Sequence, residues 1–388
     1  MVVYRASTTA PVNIAVVKYW GKRDPKLNLP TNSSLSVTLS QDDLRTLTTA
    51  SASDTYKEDV LLLNGSPSDL TGARTQACLR GLRALRTALE EKNPSLPKLA
   101  HLPLLLVSEN NFPTAAGLAS SAAGFAAFVR AIANLYELPA SPTELSLIAR
   151  QGSGSACRSL FGGYVAWRAG TQADGLDSKA VEVAPAAHWP NMRALILVVS
   201  AAKKGVSSTS GMQQTVATSG LFKQRIEQVV PENMDLMEKA IAAKDFAKFA
   251  EVTMRDSNSF HATCADTYPP IFYMNDVSRA AVRAVETINA AAGKTVAAYT
   301  FDAGPNAVIY YLEEDSEAVL GTFNPLLQSI DGWKQGANLK SSVQLDEAVS
   351  STLKSGVSRV IMTGVGEGPT KSDIYLVTEK GSPTTTSA

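Results

Sequence analysis

Asn110-Asn111-Phe112-Pro113-Thr114-Ala115-Ala116-Gly117-Leu118-Ala119-Ser120-Ser121-Ala122-Ala123-Gly124 lies between two segments of opposite character. The apolar run 102–107 before it predicts a strand. Residues 125–136 after it, rich in Ala, Phe, Val, Ile and Leu, predict a helix. Strand, small-residue loop and helix in that order let backbone N–H groups converge on a phosphate. Gly117 and the alanines would let the main chain approach an anion, and Ser120 and Ser121 fall where the helix begins. Their hydroxyls suit capping that helix, or holding phosphate and a metal ion. An ordinary capped helix packed on a sheet would use the same residues, so the rest of the chain has to decide.

The whole chain narrows the field. Its 388 residues suffice for two or three domains with a large core, and 45% apolar with 19% charged residues is the composition of a globular protein. Thirty-six basic and thirty-six acidic side chains cancel, which argues against a nucleic-acid surface, since that needs a basic stripe. A small pocket for a multiply charged substrate needs only a few well-placed Lys and Arg. Cys78, Cys157 and Cys264 are odd in number and far apart, as expected of reduced thiols in a cytosolic protein. The three histidines form no zinc-type spacing, and His261 with Cys264 reads as structural. No run approaches a membrane span and no signal-peptide layout opens the chain, so a cytoplasmic location is expected.

Outward from the central loop, several residues stand out. Residues 2–18 predict two short strands broken at Ala10-Pro11, running into Lys18-Tyr19-Trp20-Gly21-Lys22. A lysine at the end of a buried strand reads, by itself, as a snorkelling surface residue. Residues 73–91 have a helical period with Cys78, Leu82, Leu85 and Leu89 on one face, which leaves Arg80, Arg83 and Arg86 for a solvated one. Arg74 falls in the first turn, where a cation opposes the helix dipole, and an anion to hold explains it better. Ser141-Pro142-Thr143-Glu144 is a capping box with proline at the first helical position. Gly152-Ser153-Gly154-Ser155-Ala156-Cys157-Arg158-Ser159 opens a short helix with glycines and serines, either a second anion site or a flexible turn with a surface arginine. Asp302 ends the strand predicted over 295–301, just before Gly304-Pro305-Asn306. By default it is a turn residue; inside a pocket it would be a candidate general base.

The pattern Pro-x-x-x-Gly-Leu-x-Ser-Ser-Ala at 113–122 resembles the phosphate loop of the galactokinase, homoserine kinase, mevalonate kinase and phosphomevalonate kinase (GHMP) superfamily; no Gly-Lys-Ser/Thr of a Walker loop follows. The fuller string from Asn111 to Gly124 resembles one branch, the mevalonate diphosphate decarboxylases. Four further strings are similar to that branch in the same order: Lys18 to Lys22, Gly152 to Ser159, Met254 to His261, and Asp302-Ala303-Gly304-Pro305-Asn306, where the kinases of the superfamily carry a glycine-rich turn. The Ala-Arg-Thr-Gln string around Arg74 and Ser207-Ser208-Thr209-Ser210-Gly211-Met212 also resemble family segments that face the substrate.

The resemblance implies an α+β fold: an N-terminal domain like ribosomal protein S5 domain 2 over 1–187, then a ferredoxin-like GHMP C-terminal domain over 188–380, with the active site in the cleft between. The junction falls where apolar density is low (168–177) and proline is frequent (184–190), and 381–388 reads as a polar, disordered tail. The implied reaction is ATP-dependent decarboxylation of (R)-mevalonate 5-diphosphate to isopentenyl diphosphate, with ADP, phosphate and carbon dioxide. Pro113, Ala116, Gly117, Leu118, Ala119, Ser120 and Ser121 would hold ATP, with Ser121 also at Mg2+. Lys18, Arg158, Ser121 and Asp302 would carry the chemistry, Asp302 facing the tertiary hydroxyl. Tyr19, Trp20, Gly21, Lys22, Arg74, Ser153, Gly154, Ser155, Ala156, Cys157, Arg158, Ser208 and Thr209 would line the substrate, and a homodimer is implied at family level. A superfamily kinase that stops at phosphoryl transfer, or a non-catalytic sensor, is the alternative; the Asp302 loop favours the decarboxylase.

Overall fold

The structure, a computed structural model, describes residues 2–112, 120–199 and 205–385. Among them no helix is long and apolar enough to cross a membrane. Two sheets form the N-terminal half. The larger has strand order Thr370–Lys371, Tyr4–Pro11, Arg45–Ala52, Leu104–Asn110, Val60–Leu63, Ser66–Ser68, antiparallel except where Val60–Leu63 runs parallel to Leu104–Asn110. The smaller has antiparallel order Ala180–Ala184, Tyr164–Trp167, Ser34–Thr38, Asn13–Val17. Asn64 and Gly65 both take positive φ, which gives the hairpin turn that an Asn-Gly pair favours. Helices Ala73–Lys92, Ser120–Leu135 and Pro142–Gly152 bury one face of the larger sheet through Leu79, Leu82, Ile132 and Leu145. The capping box of the third is formed: Ser141 Oγ accepts from Glu144 N, and the Glu144 side chain accepts in return.

Met192–Val199, Ala297–Thr300, Ala307–Leu312 and Val357–Gly364 make the third sheet. In chain order they are strands one to four, and they lie side by side as two, three, one, four. Helices fill the first and last connections, which is the ferredoxin-like arrangement of the C-terminal half. The helices Ser316–Leu327 and Glu347–Gly356 of the last connection are not among the sequence expectations.

One apolar core runs through the seam between the halves. Ile14, Leu35 and Val37 of the smaller N-terminal sheet share it with Ile196, Tyr310 and Ile361 of the C-terminal sheet, across helices Val230–Ala243 and Phe246–Asp266. Two expectations need correction. On Ala73–Lys92 the core face is Cys78, Leu79, Leu82, Arg86 and Glu90, and Leu85 is exposed. Arg86 is fully buried because Glu90 Oε1 and the carbonyls of Tyr136 and Pro97 take its donors at 2.6–2.7 Å, while Arg83 forms a two-pronged pair with Asp59. The tail is ordered at least to Thr385: Leu376 and Val377 are buried against the larger sheet, and Thr378 N donates to Ser382 O at 2.8 Å. The last described segment therefore returns to the N-terminal half.

Candidate active site

Strand Asn13–Val17 carries a bulge: Ala15 opposes Ser36 and Val17 opposes Leu35, leaving Val16 extra. A bulge bends the strand and re-aims the residues beyond it. The first of these is Lys18, 3% exposed, whose Nζ donates to Ala15 O and to Asp302 Oδ1, each at 2.6 Å. The lysine is a buried cation, not a snorkelling one. Asp302 arrives from the other half, just past strand Ala297–Thr300. Its neighbours are fixed: Phe301 N donates to Ser257 Oγ at 3.1 Å, and Ser278 Oγ donates to Pro305 O at 2.8 Å. Its side chain pairs across the seam instead of closing its own turn.

Arg158 lies in the short 3-10 helix Gly154–Leu160 and is also buried. Its Nε donates to Ser36 Oγ at 3.0 Å and Asn13 Oδ1 at 3.3 Å, and Nη1 donates to Ser34 Oγ at 2.6 Å. All of these partners are neutral, so burial pushes the guanidinium below its usual range, and Cys157 and Asp302 only partly offset this. Gly154 permits the close packing here: a Cβ would lie 2.9 Å from both Trp167 and Tyr19. Those two rings meet at 4.7 Å. The Tyr19 hydroxyl is buried with no partner among the described residues, and burial pushes it up. Burial, with Arg74 nearby, pulls Lys22 down to about 8. Arg74 spans the mouth, donating to Thr209 Oγ1 at 3.3 Å.

Lys18, Tyr19, Trp20, Lys22, Arg74, Ser121, Ser153, Gly154, Ser155, Arg158, Ser208, Thr209 and Asp302 thus line one cleft of about 220 Å3, contributed by both halves. Four cations face one carboxylate there, although the whole chain is neutral. Three residues named from sequence for the substrate do not line it. Gly21 is held at φ +89°, where a Cβ would lie 2.5 Å from Phe222, so its glycine serves the backbone. Ala156 and Cys157 are fully buried behind the turn, Cys157 against Val165 and Trp167, with its thiol pushed up to about 12 by burial. Ser120 lines a second cavity of about 380 Å3, mostly apolar, with Leu61, Leu63, Phe125 and Phe128; Ser121 lines both cavities. Pro113, Ala116, Gly117, Leu118 and Ala119 lie outside the described residues. Sequence reasoning missed Asn13 and Asn28 on the cleft wall, and it named the strings 207–212 and 254–261 without singling out Met212 and Phe260, which also line it. Asn13 opens the strand that leads into Lys18 and donates to Ser159 Oγ at 2.7 Å, a tie no local motif announces.

An S5-like half joined to a ferredoxin-like half, with a cation-lined cleft on the seam, defines an enzyme of the GHMP class. Residues 10–180 match the diphosphomevalonate decarboxylase-like N-terminal domain, and residues 194–372 match the mevalonate 5-diphosphate decarboxylase C-terminal domain. The diphosphomevalonate decarboxylase of Gibberella zeae is 75% identical over 376 residues, spanning 96% of this chain and 98% of that protein. A crystal structure of mevalonate 5-diphosphate decarboxylase superposes with a TM-score of 0.91 at 57% identity, covering 97% of this chain and 99% of that one. A complex of MDDEF with MVAPP, AMPPCP and magnesium superposes at 0.74 with 29% identity, covering 96% and 100%. The chain belongs to the diphosphomevalonate decarboxylase family.

Proposed function

We propose that this chain converts mevalonate 5-diphosphate, ATP-dependently, to isopentenyl diphosphate, releasing ADP, phosphate and carbon dioxide. One observation carries the reading: the Lys18–Asp302 pair is set in a cleft with Arg158, Lys22 and Arg74 on its walls. A diphosphate and a carboxylate need that surplus of cations. A related chain binds AMPPCP and magnesium together with MVAPP, and the residues here fit such ligands. The mostly apolar cavity beside Ser120 suits a nucleoside, and Ser121, shared by both cavities, stands where the phosphates would pass between them. Hydroxyl oxygens are hard donors. Magnesium would be held by Ser121 together with phosphate oxygens and water.

ATP with magnesium supplies the phosphoryl group that makes a leaving group of a poor one, the tertiary hydroxyl. This chain's residues do the rest. Asp302 accepts the hydroxyl proton or orients it, and Lys18 holds that carboxylate in place. Arg158 offsets the substrate's carboxylate until carbon dioxide departs, and the unpartnered Tyr19 hydroxyl, Arg74 and Lys22 meet its phosphates. We further infer a boundary near 187/188, a homodimer and a cytoplasmic location, testable by limited proteolysis, sedimentation and fractionation. The deciding assay supplies ATP and mevalonate diphosphate and scores phosphate and carbon dioxide together. Equal yields are expected; ADP formation without carbon dioxide would leave a kinase.

A further inference from the structure

Directly behind the cleft lies a carboxylate that this chemistry does not use. Asp256, on helix Phe246–Asp266, is fully buried, and its oxygens accept four hydrogen bonds. Oδ2 takes the Lys18 main-chain N–H at 2.7 Å and Arg225 Nη2 at 3.1 Å; Oδ1 takes Arg225 Nη1 at 3.2 Å and Asn233 Nδ2 at 3.0 Å. Arg225, 2% exposed, also donates to Ser259 Oγ at 3.0 Å and to the Lys18 carbonyl at 3.4 Å. Side chains of the C-terminal half therefore meet Lys18 at both its N–H and its C=O, sharing the carbonyl with Asn32 Nδ2 at 3.0 Å, while its Nζ rests on Asp302 and the Ala15 carbonyl.

A buried ion pair is a poor way to gain stability, because an apolar pair of similar volume often serves as well or better. Arg225 also opens a π-turn, Arg225–Val229, inside the run of helices, an irregularity that is rare and concentrated at functional sites. We propose that Asp256, clamped by Arg225, is a positioning residue that fixes Lys18 Nζ against Asp302. The proposal rests on the roles given above to Lys18 and Asp302.

The test compares Asp256→Asn, Arg225→Lys and the paired Asp256→Leu/Arg225→Met, with Asp256→Asn also made on a Lys18→Met background. Each full-length variant is measured for kcat, both KM values and melting temperature. Asp256→Asn and Arg225→Lys should lose about tenfold or more in kcat with both KM values nearly unchanged, the mark of a contact that matters in the transition state. The paired apolar variant should fold and stay slow, melting somewhat lower than wild type because the Lys18 N–H and the Asn233 amide lose their acceptor. On the Lys18→Met background Asp256→Asn should add almost nothing, because the two act as one unit. An equal loss with and without Lys18, or wild-type kcat in the paired variant, overturns the proposal. So does failure of all these variants to fold, since the pair would then serve the fold alone. A Lys18→Met enzyme within about tenfold of wild type sinks the role of Lys18 itself; an inactive Lys18→Met beside a fully active Asp256→Asn sinks only the positioning.

Discussion

Replacing Asp302 by asparagine keeps the side chain's shape and removes its charge and its capacity to take a proton. A positioned acid–base group contributes roughly a hundred- to ten-thousandfold in rate, or about 2.7 to 5.4 kcal/mol of barrier. The change also strips Lys18 of its partner. Lys18 Nζ is 2.6 Å from Asp302, and the lysine side chain is 3% exposed. Breaking a fully buried pair costs about 3–5 kcal/mol. The Asp302 side chain, however, is 35% exposed to the cleft, so water replaces part of what is lost, and the cost should fall toward the roughly 1 kcal/mol of an exposed pair. The kinetic loss should therefore exceed the stability loss. The variant should fold and bind both ATP and mevalonate diphosphate, with kcat down by at least about a hundredfold. Single-turnover release of ADP and carbon dioxide, alongside equilibrium binding of each ligand, measures it. A variant within about tenfold of wild type, with binding intact, would refute Asp302 as the proton acceptor.

The other predictions concern the cleft's rim and floor. Ser121→Ala should cut kcat strongly while the melting temperature holds; lost melting temperature with wild-type kcat would make Ser121 merely a helix cap. Arg158→Lys should raise the substrate KM or lower kcat despite keeping the charge, because lysine cannot divide its donors among Ser34, Ser36 and Asn13 as the fork does. Arg74→Ala should weaken mevalonate diphosphate more than ATP, and equal loss of both would count against its place on the substrate side. Lys22, pulled down to about 8, is charged in the folded protein below that pH and neutral above it, whereas the unfolded chain keeps it charged to its ordinary value. Its buried charge therefore opposes folding below pH 8, a penalty relieved as pH rises from about 8 toward 10.5. Substrate KM should follow the ammonium and rise above pH 8, and Lys22→Arg should flatten that limb; a wild-type KM flat across pH 8 would remove Lys22 from the anion site.

Much of the fold and cleft was readable in the chain, for reasons that differ by element. The strings at 18–22, 152–159 and 302–306 are local, and each converges on the cleft because the element carrying it is specified by nearby residues. The Ser141 box starts its helix within four residues, and the Asp302 strand is a short buried β run. What failed was burial of charge. Arg86 falls between Leu79 and Leu82 on its helix, where its charge alone argues for a solvated place; Glu90 and the Tyr136 and Pro97 carbonyls, the last two 50 and 11 residues away, make its burial tolerable. The same holds for Lys18, whose main-chain partner Asp256 is 238 residues distant. A periodic pattern reports which faces are apolar; it does not report which polar groups find each other.

The seam explains why the charges collect where they do. The apolar core is continuous from the smaller N-terminal sheet into the C-terminal sheet, so polar atoms on the facing elements are denied water and must be satisfied by one another. Lys18, Asp256 and Arg225 meet that demand, except at Arg225 Nε, and are buried, whereas Asp302 is left partly open to the cleft. Around it the walls are Trp20, Phe260 and Met212, which keep the local dielectric low and strengthen each charge that a bound anion meets. With 36 charges of each sign over the whole chain, the long-range field is weak. Attraction for a polyanion is then confined to the cleft, where four cations stand against one carboxylate, so salt should weaken substrate capture from solution less than it would for a protein with a basic surface.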